Sequence, residues 1–322
     1  MPGSFPAIVV AGLIGHAFAQ TGPSLIGASY TTPPLLRVSP GQIVRLQLTG
    51  LQTNLPNQSV QAASVPLPVQ LAGLSVKVNE YTKRFQADPF ELTGSFTAPV
   101  VSVRQISLCS LNTKSSNANC LSTYITVQIP YELRFNNVGN PFYSHEIVIS
   151  ENGNESPPFN VAVVDDQIHV VTDCDQRETA NGCHSIVTHA DGSLVSPQSP
   201  GIAGETVVVY AWGLGYTTPS VKTGNLTPAP APISALQGEP DRIRVWFDFR
   251  PNGPSWVFGP AQAKAVTYLT PGQVGLYQIA VQLPSRFPAV LPCDPAVQSN
   301  LTINLSGVWS SDAAAICVQP GE

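Results

Sequence analysis

Four histidines follow the first apolar stretch, His145, His169, His184 and His189. Two of them, His184 and His189, share a short run with Asp173, Asp175, Glu178 and Asp191, and with Ser185 and Ser193 between or beside them. A serine deprotonated by a histidine that a carboxylate orients is the nucleophile of acyl transfer. The run therefore offers a hydrolase site near His184 and His189. All the partners lie on one loop-like segment, however, whereas such a relay needs a rigid scaffold to hold it. The GxSxG and HExxH patterns are also absent. The favoured reading is non-enzymatic.

The segment DDQIHVVTDCDQRE collects Asp165, Asp166, Asp173 and Asp175. Clustered hard oxygens suit Ca²⁺, although the spacing fits neither an EF-hand nor a repeat-type calcium loop. A solvated acidic edge is the competing reading. No other cofactor is suggested.

A third chemistry is aromatic. All four tryptophans, Trp212, Trp246, Trp256 and Trp309, fall in the second half. In RIRVWFDFR, strand alternation puts Ile243, Val245, Phe247 and Phe249 on one face and Arg244, Trp246 and Asp248 on the other. A tryptophan flanked by Arg and Asp can stack on a sugar or anchor a protein partner, and Trp256 in PNGPSWVFGP can join it. The alternative is that Trp246 packs under a loop and Trp256 plugs the end of a sandwich. Trp212 and Trp309 read as core or corner residues.

What positions these groups is an all-β scaffold. Apolar runs rich in Val, Ile, Leu and Tyr are separated by turns drawn from 31 prolines and 25 glycines. Only 11% of residues are charged and the net charge is −5, which excludes a nucleic-acid partner that would need a basic surface. The stretch FPAIVVAGLIGHAFAQ ends in Ala17-Phe18-Ala19 and predicts a signal peptide over 1–19. No later run approaches the roughly 18 apolar residues of a membrane span. Six cysteines suit an exported chain, and sequence-local pairing gives Cys109–Cys120, Cys174–Cys183 and Cys293–Cys317. Zinc at Cys183-His184 is the rival reading, but CxxC spacing is missing.

The chain also repeats itself. Val127-Gln128-Ile129-Pro130 matches Val281-Gln282-Leu283-Pro284, and EIVISENGNES matches NLTINLSGVWS at the same offset. PGQIVRLQLTGLQ matches AGETVVVYAWGLG, which places Gly50-Leu51 on Gly213-Leu214. Gly213-Leu214-Gly215 is therefore a strand corner that recurs, and not a phosphate loop, which would open a helix. Each half supplies six or seven strands, the count of an immunoglobulin-like β-sandwich. The reading is two tandem sandwiches, 20–165 and 166–322, joined between Asp165 and Asp173.

PLPVQLAGLSVKVN, YITVQIPYEL, HADGSLVSPQSPGIAGETVVVYAWGLG and VGLYQIAVQLP, in that order, resemble an uncharacterised C-terminal domain family of secreted bacterial proteins, chiefly acidobacterial. The resemblance implies export and an Ig-like arrangement, with no activity and no catalytic residues to carry over. Where the family has a strand with SPGQ, this chain has the Cys109–Cys120 insertion. The expected role is a secreted, surface or matrix binding module for an extracellular protein or polysaccharide. A hydrolase and a structural spacer are the alternatives.

Overall fold

Short β-branched runs bounded by turn residues build sheets here, as their composition requires. The computed structural model describes residues 23–28, 36–55, 58–107, 121–135, 142–175, 183–234, 243–248, 261–287, 291–294, 298–305 and 310–319. The expected signal peptide, Cys109 with Cys120, Glu178, Phe249, Trp256 and Trp309 lie outside the described residues.

The first half forms β1 (Ser24–Ala28), β2 (Leu36–Val38), β3 (Ile43–Thr49), β4 (Ser59–Gln61), β5 (Leu74–Lys83), β6 (Glu91–Ala98), β7 (Val100–Ser107), β8 (Leu121–Gln128), β9 (Phe142–Glu151), β10 (Asn154–Glu155) and β11 (Phe159–Val163). The second forms β12 (His169–Val170), β13 (Val187–His189), β14 (Thr206–Trp212), β15 (Thr217–Thr218), β16 (Ile233–Ser234), β17 (Ile243–Asp248), β18 (Ala261–Leu269), β19 (Tyr277–Gln282), β20 (Ser299–Leu305) and β21 (Ser310–Ile316). A 3-10 turn at Asp173–Asp175 follows β12. The fold is all-β, with open sheets. No helix among the described residues is long and apolar enough to cross a membrane.

Strands of the first half make two sheets, ordered β1-β3-β8-β7-β4 and β2-β11-β9-β5-β6. Those of the second make one ladder, β12-β14-β19-β18-β17-β20-β21. The difference has a local cause. In the second half β18 pairs with β17 at Ala261 to Ala263 and with β19 from Lys264 onward, so one strand links both groups. In the first half the same place is taken by β6 and β7, separated by Pro99. Proline has no N–H for a ladder, and the chain leaves one sheet there to enter the other.

The internal repeat is a structural one. Val44 pairs with Val127 across β3 and β8, and its repeat mates Val207 and Val281 pair across β14 and β19. Two hydrophobic clusters follow, one within Leu36 to Val163 and one within Ile168 to Val318. Each fully buried Leu, Ile, Val or Phe in them contributes roughly 1.5–3 kcal/mol.

Two of the expected disulfides close, Cys174–Cys183 and Cys293–Cys317, with Cα atoms 5.2 and 5.3 Å apart. Oxidised sulfur is not a thiolate ligand, which removes zinc from Cys183.

The halves meet along a polar seam. Gln42 Nε2 donates to the Gln167 carbonyl at 3.0 Å, and Leu67 N donates to the Gly224 carbonyl at 2.8 Å. Gly224 N donates to Gln128 Oε1 at 2.6 Å, and Tyr131 N donates to Thr223 Oγ1 at 2.8 Å. The ring of Tyr216 stacks on Phe135, and its hydroxyl donates to the Leu133 carbonyl. Within the second half, the buried Tyr277 hydroxyl donates to the Gly215 carbonyl at 2.6 Å beside this seam.

Gly213 sits in this seam at φ +84°, in the left-handed region that its repeat mate Gly50 also adopts (φ +78°). A Cβ there would run into the Gln167 carbonyl. Gly153 has φ +87° with open space around it, and so separates the two effects. Urea unfolding should show Gly153→Ala costing about 1 kcal/mol from φ alone. Gly213→Ala should cost roughly 3 kcal/mol, because steric overlap adds to it. Equal costs would mean that the seam tolerates a side chain at Gly213.

Candidate functional site

Alternation along β3 sends Val44, Leu46 and Leu48 into the core and leaves Arg45 and Gln47 on the outer face. Register then assembles two polar rows across that sheet. One runs Ser59, Arg104, Tyr124, Gln47; the other runs Gln61, Ser102, Thr126, Arg45. On β14, Val207, Val209 and Ala211 are buried, so Val208, Tyr210 and Trp212 face outward. The seam brings these two outer faces together.

Between them lies a cavity of about 410 Å³ whose walls include Arg45, Arg104, Tyr124, Asp175 and Trp212. A second cavity, about 620 Å³, is mainly apolar, with Val65, Leu67, Ile186, Leu226 and Leu276 in its walls. Ile43, Gln61, Val101 and Trp212 line both, so the two are neighbouring chambers that share a wall. Both volumes fall in the range of about 300 to 1,000 Å³ typical of ligand pockets, the smaller chamber being the more polar and the larger the more apolar.

The polar chamber is held by a charge network. Arg45 donates to the Cys174 and Asp175 carbonyls and lies 6.0 Å from the centre of the Tyr124 ring. His169 Nε2 is 3.0 Å from each Asp175 carboxylate oxygen, and its Nδ1 is 3.6 Å from Asp312. Burial opposes a charge on His169, but hydrogen bonds to Asp175 and Asp312 outweigh it and push the pKa up to about 9. The imidazolium stacks on Trp212 with centroids 5.8 Å apart, a cation–π contact that fixes the indole in the cleft wall.

The residues expected from sequence are distributed differently. The four aspartates do not converge, and among the described residues no group of three or more His, Cys, Asp or Glu could hold a metal. Asp173 Oδ1 accepts from His184 N at 2.8 Å, and Asp175 accepts from Thr172 N at 2.7 Å in addition to His169. These carboxylates cap their own turn, and the calcium set of Asp165, Asp166, Asp173 and Asp175 is not assembled. Trp246 is 8% exposed, and Thr302 and Asn304 on the neighbouring strand are 1% exposed. Arg244 is half-buried beside it. The stacking face expected of Trp246 is covered, and the packing alternative describes it. The side chain of Asp248 lies outside the described residues.

His189 has carboxylate and serine partners, though not the expected ones. Its Nδ1 is 2.5 Å from Glu205 Oε1, and its Nε2 is 3.1 Å from both the hydroxyl and the carbonyl of Ser199. A carbonyl can only accept, so the nitrogen facing it carries a proton. Glu205 raises the His189 pKa in the same sense. A protonated Nε2 cannot take the Ser199 proton, and the cluster ties the 196–199 turn to β13. Ser193 bonds Asp191 at 2.6 Å, and Ser185 accepts from Ala315 N. Trp212 is the residue that sequence reasoning set aside as structural. Its outward place in TVVVYAW was readable from alternation, but the opposite wall was not.

The raised His169 pKa gives stability that is complete below pH ~6.5, the unfolded value, and lost as pH rises through about 9. The melting temperature of the wild type should therefore fall across that window, and His169→Gln should remove that fall. A wild-type profile flat from 6.5 to 9 would refute the ion pair. Compared against family models and against curated proteins, the chain matches neither, and its reading rests on this geometry.

Proposed function

We propose that the protein is an exported, non-enzymatic binding module of two tandem immunoglobulin-like β-sandwiches, 20–165 and 166–322, whose ligand occupies the cleft between them. The observation that carries this is Trp212, half-buried and standing in the wall of both chambers. A braced aromatic beside hydrogen-bonding side chains is the composition of a binding hot spot. Export is supported by the apolar N-terminal stretch and the two closed disulfides. The tandem reading is supported by the shared register of the repeat and by two separate cores. The resemblance to secreted bacterial C-terminal domains points the same way. An extracellular polysaccharide, protein segment or lipid is the partner class.

A hydrolase using Ser199, His189 and Glu205 is the second reading, favoured by their alignment and opposed by the proton on His189. Acyl-ester turnover abolished by His189→Ala would establish it instead.

Screening the purified protein against glycan, peptide and lipid arrays tests the binding role. Trp212→Ala should weaken any retained ligand at least tenfold, about 1.4 kcal/mol. Phe85→Ala, at a 70% exposed position away from the cleft, should leave it unchanged. A ligand indifferent to Trp212→Ala would place the site elsewhere.

A further inference from the structure

We propose that the cleft takes a single-chain amphiphile with a carboxylate head, of the fatty-acid class, with the head on Arg104 and the chain along the apolar chamber. This rests on the binding reading above and names its ligand.

Charge argues for the head. Arg104 is partly buried in the wall of the polar chamber, between Ser59 and Tyr124 in the ladder, and its guanidinium makes no ion pair or hydrogen bond with the described residues. Arg45, on the same sheet face, is held by backbone carbonyls, so its charge is also not cancelled by a carboxylate there. The acid in the same wall, Asp175, is engaged by His169 and Thr172. Two guanidinium groups thus face one small chamber in a chain of net charge −5. A carboxylate, like a phosphate, matches a guanidinium fork with two parallel hydrogen bonds.

Apolar surface argues for the chain. Val65 and Leu226 stand on the wall of the larger chamber while 45% and 46% exposed. Leu67, Ile186, Val274 and Leu276 continue the surface inward. The described residues leave part of this wall exposed, and each methylene buried against it gains about 0.8 kcal/mol. A neutral or acidic sugar would satisfy the polar rows but strand its hydroxyls against the apolar walls. A neutral lipid would fill the apolar chamber and leave Arg104 without its counter-charge. Only a ligand with one acidic end and one apolar end uses both chambers, and Trp212 at their junction marks where its character changes.

The test uses the full chain and titrates dodecanoate, dodecanol and polygalacturonate by calorimetry, below micelle-forming concentrations. Dodecanoate should bind at least tenfold more tightly than dodecanol. Arg104→Gln should weaken dodecanoate about tenfold and leave dodecanol unchanged, whereas Val65→Asp should weaken both. Circular dichroism confirms that each variant is folded. Equal affinity for acid and alcohol, or no effect of Arg104→Gln, overturns the head assignment while the cleft stands. Failure of dodecanoate to bind, with a glycan or peptide retained through Trp212, overturns the amphiphile alone. Dodecanoate binding indifferent to both Trp212→Ala and Val65→Asp overturns the cleft reading as well.

Discussion

The close backbone contact at Gly213 is the constraint on which the cleft depends. There the corner after β14 lies against the Gln167 carbonyl with no room for a side chain. A few residues on, the fully buried Tyr277 hydroxyl donates to the Gly215 carbonyl. Burial pushes Tyr131 up to about 12 and Tyr277 well above the usual phenol range, so both stay neutral, and Tyr277 keeps the proton it donates. Both contacts lie within the second half, and the Gln167 carbonyl also accepts from Gln42 Nε2 of the first half, which ties this corner to the seam beside which the outer faces of β3 and β14 line one cavity.

Charge is scarce in this chain, and it is concentrated where geometry must be exact in direction. Around the cleft, His169, Asp175, Asp312 and Arg45 hold the 3-10 turn, β21 and Trp212 against one another. On the other sheet of the first half, Glu80 is fully buried and accepts from the Arg134 backbone N and Nε at 2.9 Å each. His145 lies 3.6 Å from the same carboxylate, and burial lowers its pKa. Loss of one partner in such a cluster strands a buried charge, which costs about 3–5 kcal/mol. Both clusters therefore specify arrangement more than they add stability.

Local pattern made much of this readable in advance. The strands, the recurrence of Gly50 and Gly213, and the pairings Cys174–Cys183 and Cys293–Cys317 follow from alternation, repetition and short loop closure. These are properties of neighbouring residues, and tertiary contacts leave them in place. The aspartates around Asp165 to Asp175 show the limit. Proximity in sequence suggested convergence, but Asp173 accepts from His184 N, and Asp175 is taken up by Thr172 N and His169.

Trp212 and Trp246 mark the boundary between the two kinds of information. The sequence reading put Trp246 on the face opposite the core and took Trp212 for a core or corner residue, although β14 turns Trp212 outward as well. Whether such a face is open or covered depends on chain brought from far away, and no local period encodes it. Packing covered Trp246 and left Trp212 in the wall of a cleft. The amino-acid sequence by itself determined the all-β class, the internal repeat, the local disulfides and the structural nature of the glycine corner. Tertiary structure alone decided where the halves touch, which tryptophan lines a cavity, and that Arg104 shares its wall. Those outcomes are set by long-range packing of sheet faces, whose energy is shared among residues more than a hundred positions apart.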